Sequence, residues 1–75
     1  MKNQDKAVER LCQAIIVQAA KDYRSALTSL KRDPKSRYGL GKKRELERFF
    51  RSKWYKAMTD VEGEFLIIKL QEEFE

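Results

Sequence analysis

Arg44, Arg48, Arg51 and Tyr55 follow one another at spacings of 4, 3 and 4. At 100° per residue, a helix would confine them to a band about 60° wide. Arginine presents a planar fork that bonds phosphate oxygens in pairs, and tyrosine stacks on bases. The chemistry implied is a phosphate grip. Lys35, Arg37, Lys42, Lys43, Lys53 and Lys56 extend its footprint, with Lys31 and Arg32 beside them. From Lys31 to Lys56 eleven basic residues stand against three acidic ones, a net of +8 within a chain of formal charge +5. The competing explanation is an ordinary solvated face, tempered by Glu45 and Glu47. The stripe also depends on a helix that passes unbroken through Ser52. If Ser52 caps a new short helix from Lys53 to Met58, the four side chains scatter.

Other chemistry is poorly supplied. The chain has no histidine and one cysteine, which excludes zinc fingers, Cys/His nucleophilic sites and catalytic triads. Cys12 falls within an apolar stripe, where a thiol behaves as a small buried hydrophobe. Paired carboxylates need a concave site and a tuned pKa to do hydrolysis, and three short helices offer no such pocket. The sequence therefore predicts no catalytic residues, no metal, no cofactor and no small-molecule substrate. Phe49, Phe50 and Trp54 are expected in the core. With Tyr55 they are alternatively a binding hot spot. From Ala57 to Glu75 one lysine stands against six acidic residues, so the molecule is dipolar. That tail either solvates a helix end or engages a basic partner.

These residues must be positioned by helices. The chain is 75 residues long and 41% hydrophobic, enough for one small domain and too periodic for disorder. Val8, Cys12, Ile15, Ala19, Tyr23, Ala26 and Leu30 form one stripe, predicting a first helix over about 4–31 capped by Asn3 or Asp5. Asp33-Pro34 ends it. The segment 33–41 reads as an open basic loop, or as a single turn that begins at Pro34 and stops at Gly39. A second helix is predicted over 42–58, with Leu46, Phe49, Phe50, Trp54 and Ala57 inward. Thr59-Asp60-Val61-Glu62 fits a capping box opening a third helix over 60–73. That helix is apolar on most sides, which makes it the centre of the core or a homodimer surface, and a strand over 64–70 is the competing reading. The expected fold is all-α, a small three-helix bundle with a long first helix.

The polar start and the short apolar runs predict neither a signal peptide nor a membrane span. A lone cysteine fits a reducing cytoplasm.

The string from Glu47 through Arg48-Phe49-Phe50-Arg51-Ser52-Lys53-Trp54 to Thr59, Gly63-Glu64-Phe65-Leu66-Ile67, together with Lys21-Asp22-Tyr23-Arg24-Ser25-Ala26, resembles a group of short proteins encoded in prophages and conjugative elements of Gram-positive bacteria. The resemblance runs from Arg10 to Phe74. Where this chain has Lys53 those proteins often carry an acidic residue, which makes this copy more basic. The resemblance implies a mobile-element origin and residence in a bacterial cytoplasm, and transfers no catalytic residue. Proteins of this kind are accessories to replication, packaging or transcription, or inhibitors of host defence such as anti-CRISPR proteins. The expectation is thus a small non-enzymatic protein that binds nucleic acid or a nucleoprotein complex through the basic face. The alternative is an inhibitor or adaptor that binds a host protein through the same face.

Overall fold

The computed structural model describes residues 6–74, so the expected caps Asn3 and Asp5 lie outside the described residues. Four helices form among these residues: α1 (Lys6–Arg32), α2 (Arg37–Phe50), α3 (Lys53–Met58) and α4 (Gly63–Glu72). The all-α bundle with a long first helix is as the periodicity predicts, and no strand replaces α4. The predicted second helix is divided, which raises the count from three to four.

The 27 residues of α1 span about 40 Å at 1.5 Å per residue, and the molecule measures 43 × 19 × 18 Å. The other helices pack along the C-terminal half of α1. There the small Ala19 and Ala20, together with Tyr23, are buried against Phe50 of α2, Tyr55 of α3 and Ile67 and Leu70 of α4. Four rings meet in three edge-to-face pairs: Tyr23–Phe50 at 5.8 Å between centroids, Phe50–Tyr55 at 5.7 Å and Phe49–Tyr55 at 5.8 Å. This geometry places the positive ring edge on a negative ring face and adds about 0.5–1.5 kcal/mol per pair beyond burial. The apolar stripe of α1 continues toward its N-terminus without cover, and Leu11 is 60% exposed. Cys12 lies on that stretch and is half-buried rather than enclosed.

The corner between α1 and α2 corrects the predicted loop over 33–41. It contains only Asp33-Pro34-Lys35-Ser36, because Asp33 accepts from the Lys35 N–H at 3.0 Å and Ser36 Oγ accepts from the Gly39 N–H at 3.1 Å. Ser36 is the N-cap, so Gly39 and Gly41 lie inside α2 rather than stopping a turn. At Gly39 a Cβ would meet Leu30 Cγ at 2.8 Å and the Ala26 carbonyl oxygen at 3.2 Å. The missing side chain lets α1 and α2 approach closely.

The predicted helix over 42–58 is broken at Ser52. Ser52 is extended (φ −82°, ψ 163°), its Oγ accepts from the Tyr55 N–H at 3.2 Å and its hydroxyl donates to the Phe49 carbonyl at 2.6 Å. The hydroxyl thus serves the end of one helix and the start of the next. Ser52→Ala should cost about 1 kcal/mol, read as a lower urea midpoint with an unchanged slope, and Ser52→Asn should recover most of the loss. An unmoved midpoint in the alanine variant would remove the cap from the account.

The capping box does not form. Thr59 closes α3, and its Oγ1 accepts from the Val61 N–H at 3.2 Å instead of serving Glu62. α4 opens three residues later than predicted, at Gly63, with Glu62 as a cap that makes no side-chain bond. The reason lies in Gly63, which sits against the Phe50 carbonyl group.

Candidate nucleic-acid interface

Gly39, Leu46 and Phe50 of α2 face α1 and the core. Arg37, Arg44 and Arg48 lie on the opposite side, within about 40° of one another by the 100° step. All three are exposed, and among the described residues none makes an ion pair. Gly41 lies at the edge of this band, and a Cβ placed there would meet nothing within 4 Å. The face is three guanidinium groups on open helix.

This differs from the stripe the sequence predicts. Arg37 joins it because α2 begins five residues earlier than expected. Arg51 leaves it. Its guanidinium Nε bonds Glu64 Oε2, its second nitrogen reaches Glu64 Oε1 at 3.4 Å, and a third lies 3.7 Å from Glu47 Oε1. The Glu64 hydrogen bond holds the Arg51 guanidinium charged more firmly than usual, and Arg51 in turn holds the Glu64 carboxyl below the usual carboxylate range. Tyr55 leaves it as well. Its side chain is buried in the aromatic cluster, 1% exposed, and burial pushes its hydroxyl pKa up. A ring enclosed in this way stacks on no base. Among the described residues the Tyr55 hydroxyl has no hydrogen-bond partner.

The remaining candidates divide by their partners. Lys42 pairs with Glu45 at 3.5 Å and Lys43 with Glu47 at 2.9 Å, so α2 partly neutralises its own flank. Lys35 is exposed at the α1–α2 corner, beside the exposed last turn of α1, Lys31 and Arg32. Lys53 and Lys56 are exposed on α3. Between them stands Trp54, which the sequence assigns to the core and the structure leaves 75% exposed. The break at Ser52 rotates α3 so that Tyr55, not Trp54, turns inward.

Sequence reasoning also missed Glu47. The Tyr23 hydroxyl donates to Glu47 Oε2 at 2.5 Å, and Gln71 Nε2 donates to the Tyr23 oxygen at 3.1 Å, so one chain of bonds joins α2, α1 and α4. Burial alone would raise the Glu47 pKa. The hydrogen bonds from Tyr23 and Lys43 and the nearby charges of Lys43 and Arg51 outweigh it, and the carboxyl is held below the usual range. Burial, and then the hydrogen bond to Glu47, push the Tyr23 hydroxyl far above its ordinary value. Sequence spacing gave no sign of this link, because its partners are 24 and 48 residues apart.

A shallow apolar groove between α1 and α2 is lined by Ile15, Gln18, Ala19, Asp22, Leu46 and Phe49. It is open and holds one carboxylate. Among the described residues no group of three His, Cys, Asp or Glu side chains could hold a metal ion, and no helix is long and apolar enough to cross a membrane.

No family model, curated protein or solved structure matches the chain. The functional reading therefore rests on the side chains themselves. Of the ten candidate residues, Arg44 and Arg48 share an open face with Arg37. Lys35, Lys53 and Lys56 stand exposed elsewhere. Lys42, Lys43 and Arg51 are engaged by glutamates, and Tyr55 is core.

Proposed function

We propose that the protein binds nucleic acid through its phosphate backbone, using the outward face of α2. The observation that carries this reading is the set Arg37, Arg44 and Arg48, exposed on one side of one helix and, among the described residues, without carboxylate partners, while Lys42, Lys43 and Arg51 are matched. Phosphate supplies the paired acceptors that a guanidinium fork takes. Lys35, Lys31 and Arg32 add electrostatic reach from the corner. Phosphate contacts carry no base identity, so binding of this kind is largely independent of sequence. The mobile-element origin implied by the sequence resemblance agrees with a small cytoplasmic accessory of replication, packaging or transcription.

The test is a salt titration of binding to labelled single- and double-stranded oligonucleotides. Three phosphate contacts give a log–log slope of about −2 on single strands and about −2.7 on duplex. Arg37→Glu/Arg44→Glu/Arg48→Glu should abolish binding at low salt while circular dichroism stays unchanged, since none of the three contributes to the core. No retardation of either form by the wild type at low salt would sink the proposal.

A second reading, a protein-binding inhibitor of host defence, draws on the exposed Val61, Phe65 and Ile68 near and along α4. On that reading oligonucleotide binding is absent from the start, and Phe65→Glu abolishes capture of one host protein.

A further inference from the structure

Trp54 is the largest apolar side chain in the protein, and among the described residues it is also the most exposed of the large apolar ones, at 75%. Among the described residues it makes no ring contact, and it is not part of the core cluster. The core is closed by Phe49, Phe50 and Tyr55, which pack on one another, and α3 turns Tyr55 inward at the position next to Trp54. An indole left in water forgoes a large hydrophobic gain that a partner would restore.

The neighbours of Trp54 indicate what that partner is. Lys53 precedes it, Lys56 follows two residues later, and both are exposed with no ion pair among the described residues. Lysine is depleted at protein–protein interfaces, where aromatic anchors sit among apolar companions. Here the aromatic stands between two cations. An apolar face flanked by positive charge matches a nucleobase flanked by its phosphates. In a duplex the faces of the bases are already stacked on one another, whereas an unpaired base offers its face.

We propose that Trp54 is a stacking platform for an unpaired nucleobase, with Lys53 and Lys56 on the adjoining phosphates, so that the preferred ligand is single-stranded. This rests on the nucleic-acid reading of α2 and adds the class of strand.

Trp54 is the only tryptophan in the chain, so intrinsic fluorescence reports this site alone. Tryptophan emission and the anisotropy of a labelled oligothymidine are followed together at low salt, beside a duplex of equal length. Single strand should quench the emission and saturate at the concentration where anisotropy saturates, and duplex should quench little. Trp54→Ala should weaken single-strand binding about tenfold and change duplex binding less than twofold, with Trp54→Phe in between. Binding by anisotropy with unchanged emission and unchanged Trp54→Ala affinity would overturn the stacking site and leave the α2 face standing. No binding to either nucleic acid would overturn both, and would point to Trp54 as an anchor for a protein.

Discussion

Gly63→Ala should cost about 3 kcal/mol or more and lower the melting temperature by roughly 12–24 °C. A Cβ on Gly63 would lie 1.8 Å from the Phe50 carbonyl oxygen and 2.8 Å from its carbon. Both are backbone atoms at the end of α2, so no side-chain rotation relieves the overlap. The start of α4 would have to move away from α2, and Ile67 and Leu70 would leave the core with it. A domain of this size holds a total stability of roughly 4–11 kcal/mol, so the loss is a large share. The other glycines supply the comparison. At Gly39 the nearest obstacle is the Leu30 side chain, which can turn, with the Ala26 carbonyl behind it. Gly39→Ala should therefore fall between Gly63→Ala and wild type. At Gly41 a Cβ meets nothing within 4 Å, so Gly41→Ala should stabilise by up to about 1 kcal/mol through helix propensity. One substitution at three helical glycines thus gives two signs, read by thermal unfolding at the helix band. A Gly63→Ala protein that melts within a few degrees of wild type would show that α4 is not seated on Phe50.

Gly63 also marks where the sequence stops being readable. The stripe of α1 was legible because one residue in every three or four meets the same neighbour, and that period survives any detail of packing. The close approach of α4 to α2 leaves no such period. It is a contact between residues 13 apart, and a glycine without a positive φ looks like any other. The predicted capping box failed for the same reason. Thr59 and Glu62 have the right spacing, but the chain reaches Phe50 before it can become helical, and Thr59 serves Val61 instead. At Ser52 both outcomes were readable locally. The choice between them was tertiary, since the break is what lets Tyr55 join Phe49 and Phe50 while Trp54 turns out. The basic face inherits these decisions. Arg44 and Arg48 were identifiable from spacing alone. Arg37 needed the Ser36 cap, and the loss of Arg51 needed Glu64 brought back by the turn before α4.

Tyr23→Ala should lower stability by about 3–5 kcal/mol, enough to leave much of the protein unfolded, whereas Tyr23→Phe isolates the hydroxyl and should cost about 1–3 kcal/mol. Tyr23 is fully buried, meets Phe50 edge to face, and passes one hydrogen bond to Glu47 while accepting another from Gln71. Phenylalanine keeps the ring contacts but leaves the Glu47 carboxylate short of one donor, with Lys43 at 2.9 Å still in place. The pH dependence separates these contributions. The Glu47 carboxyl is held below its ordinary value of 4.5 in the folded protein. Its contribution is therefore present above that value and is lost as pH falls through the lower, folded pKa. Tyr23 is raised above its ordinary value of 10.0, so its contribution is present below that value and fades as pH climbs beyond it. The urea midpoint of wild type should be level between these limits and fall on both sides. In Tyr23→Phe the alkaline limb should shrink to what Tyr55 supplies, and the acid limb should become shallower because Glu47 loses the neutral donor that favours its charged form. Glu64 and Glu73 also titrate low beside Arg51 and Arg24. Both pairs are exposed, so added salt should remove their share of the acid limb and spare that of Glu47. A Tyr23→Phe protein with the stability and both limbs of wild type would mean that burial of the ring alone, without the bond to Glu47, joins α1 to the helix carrying the basic face.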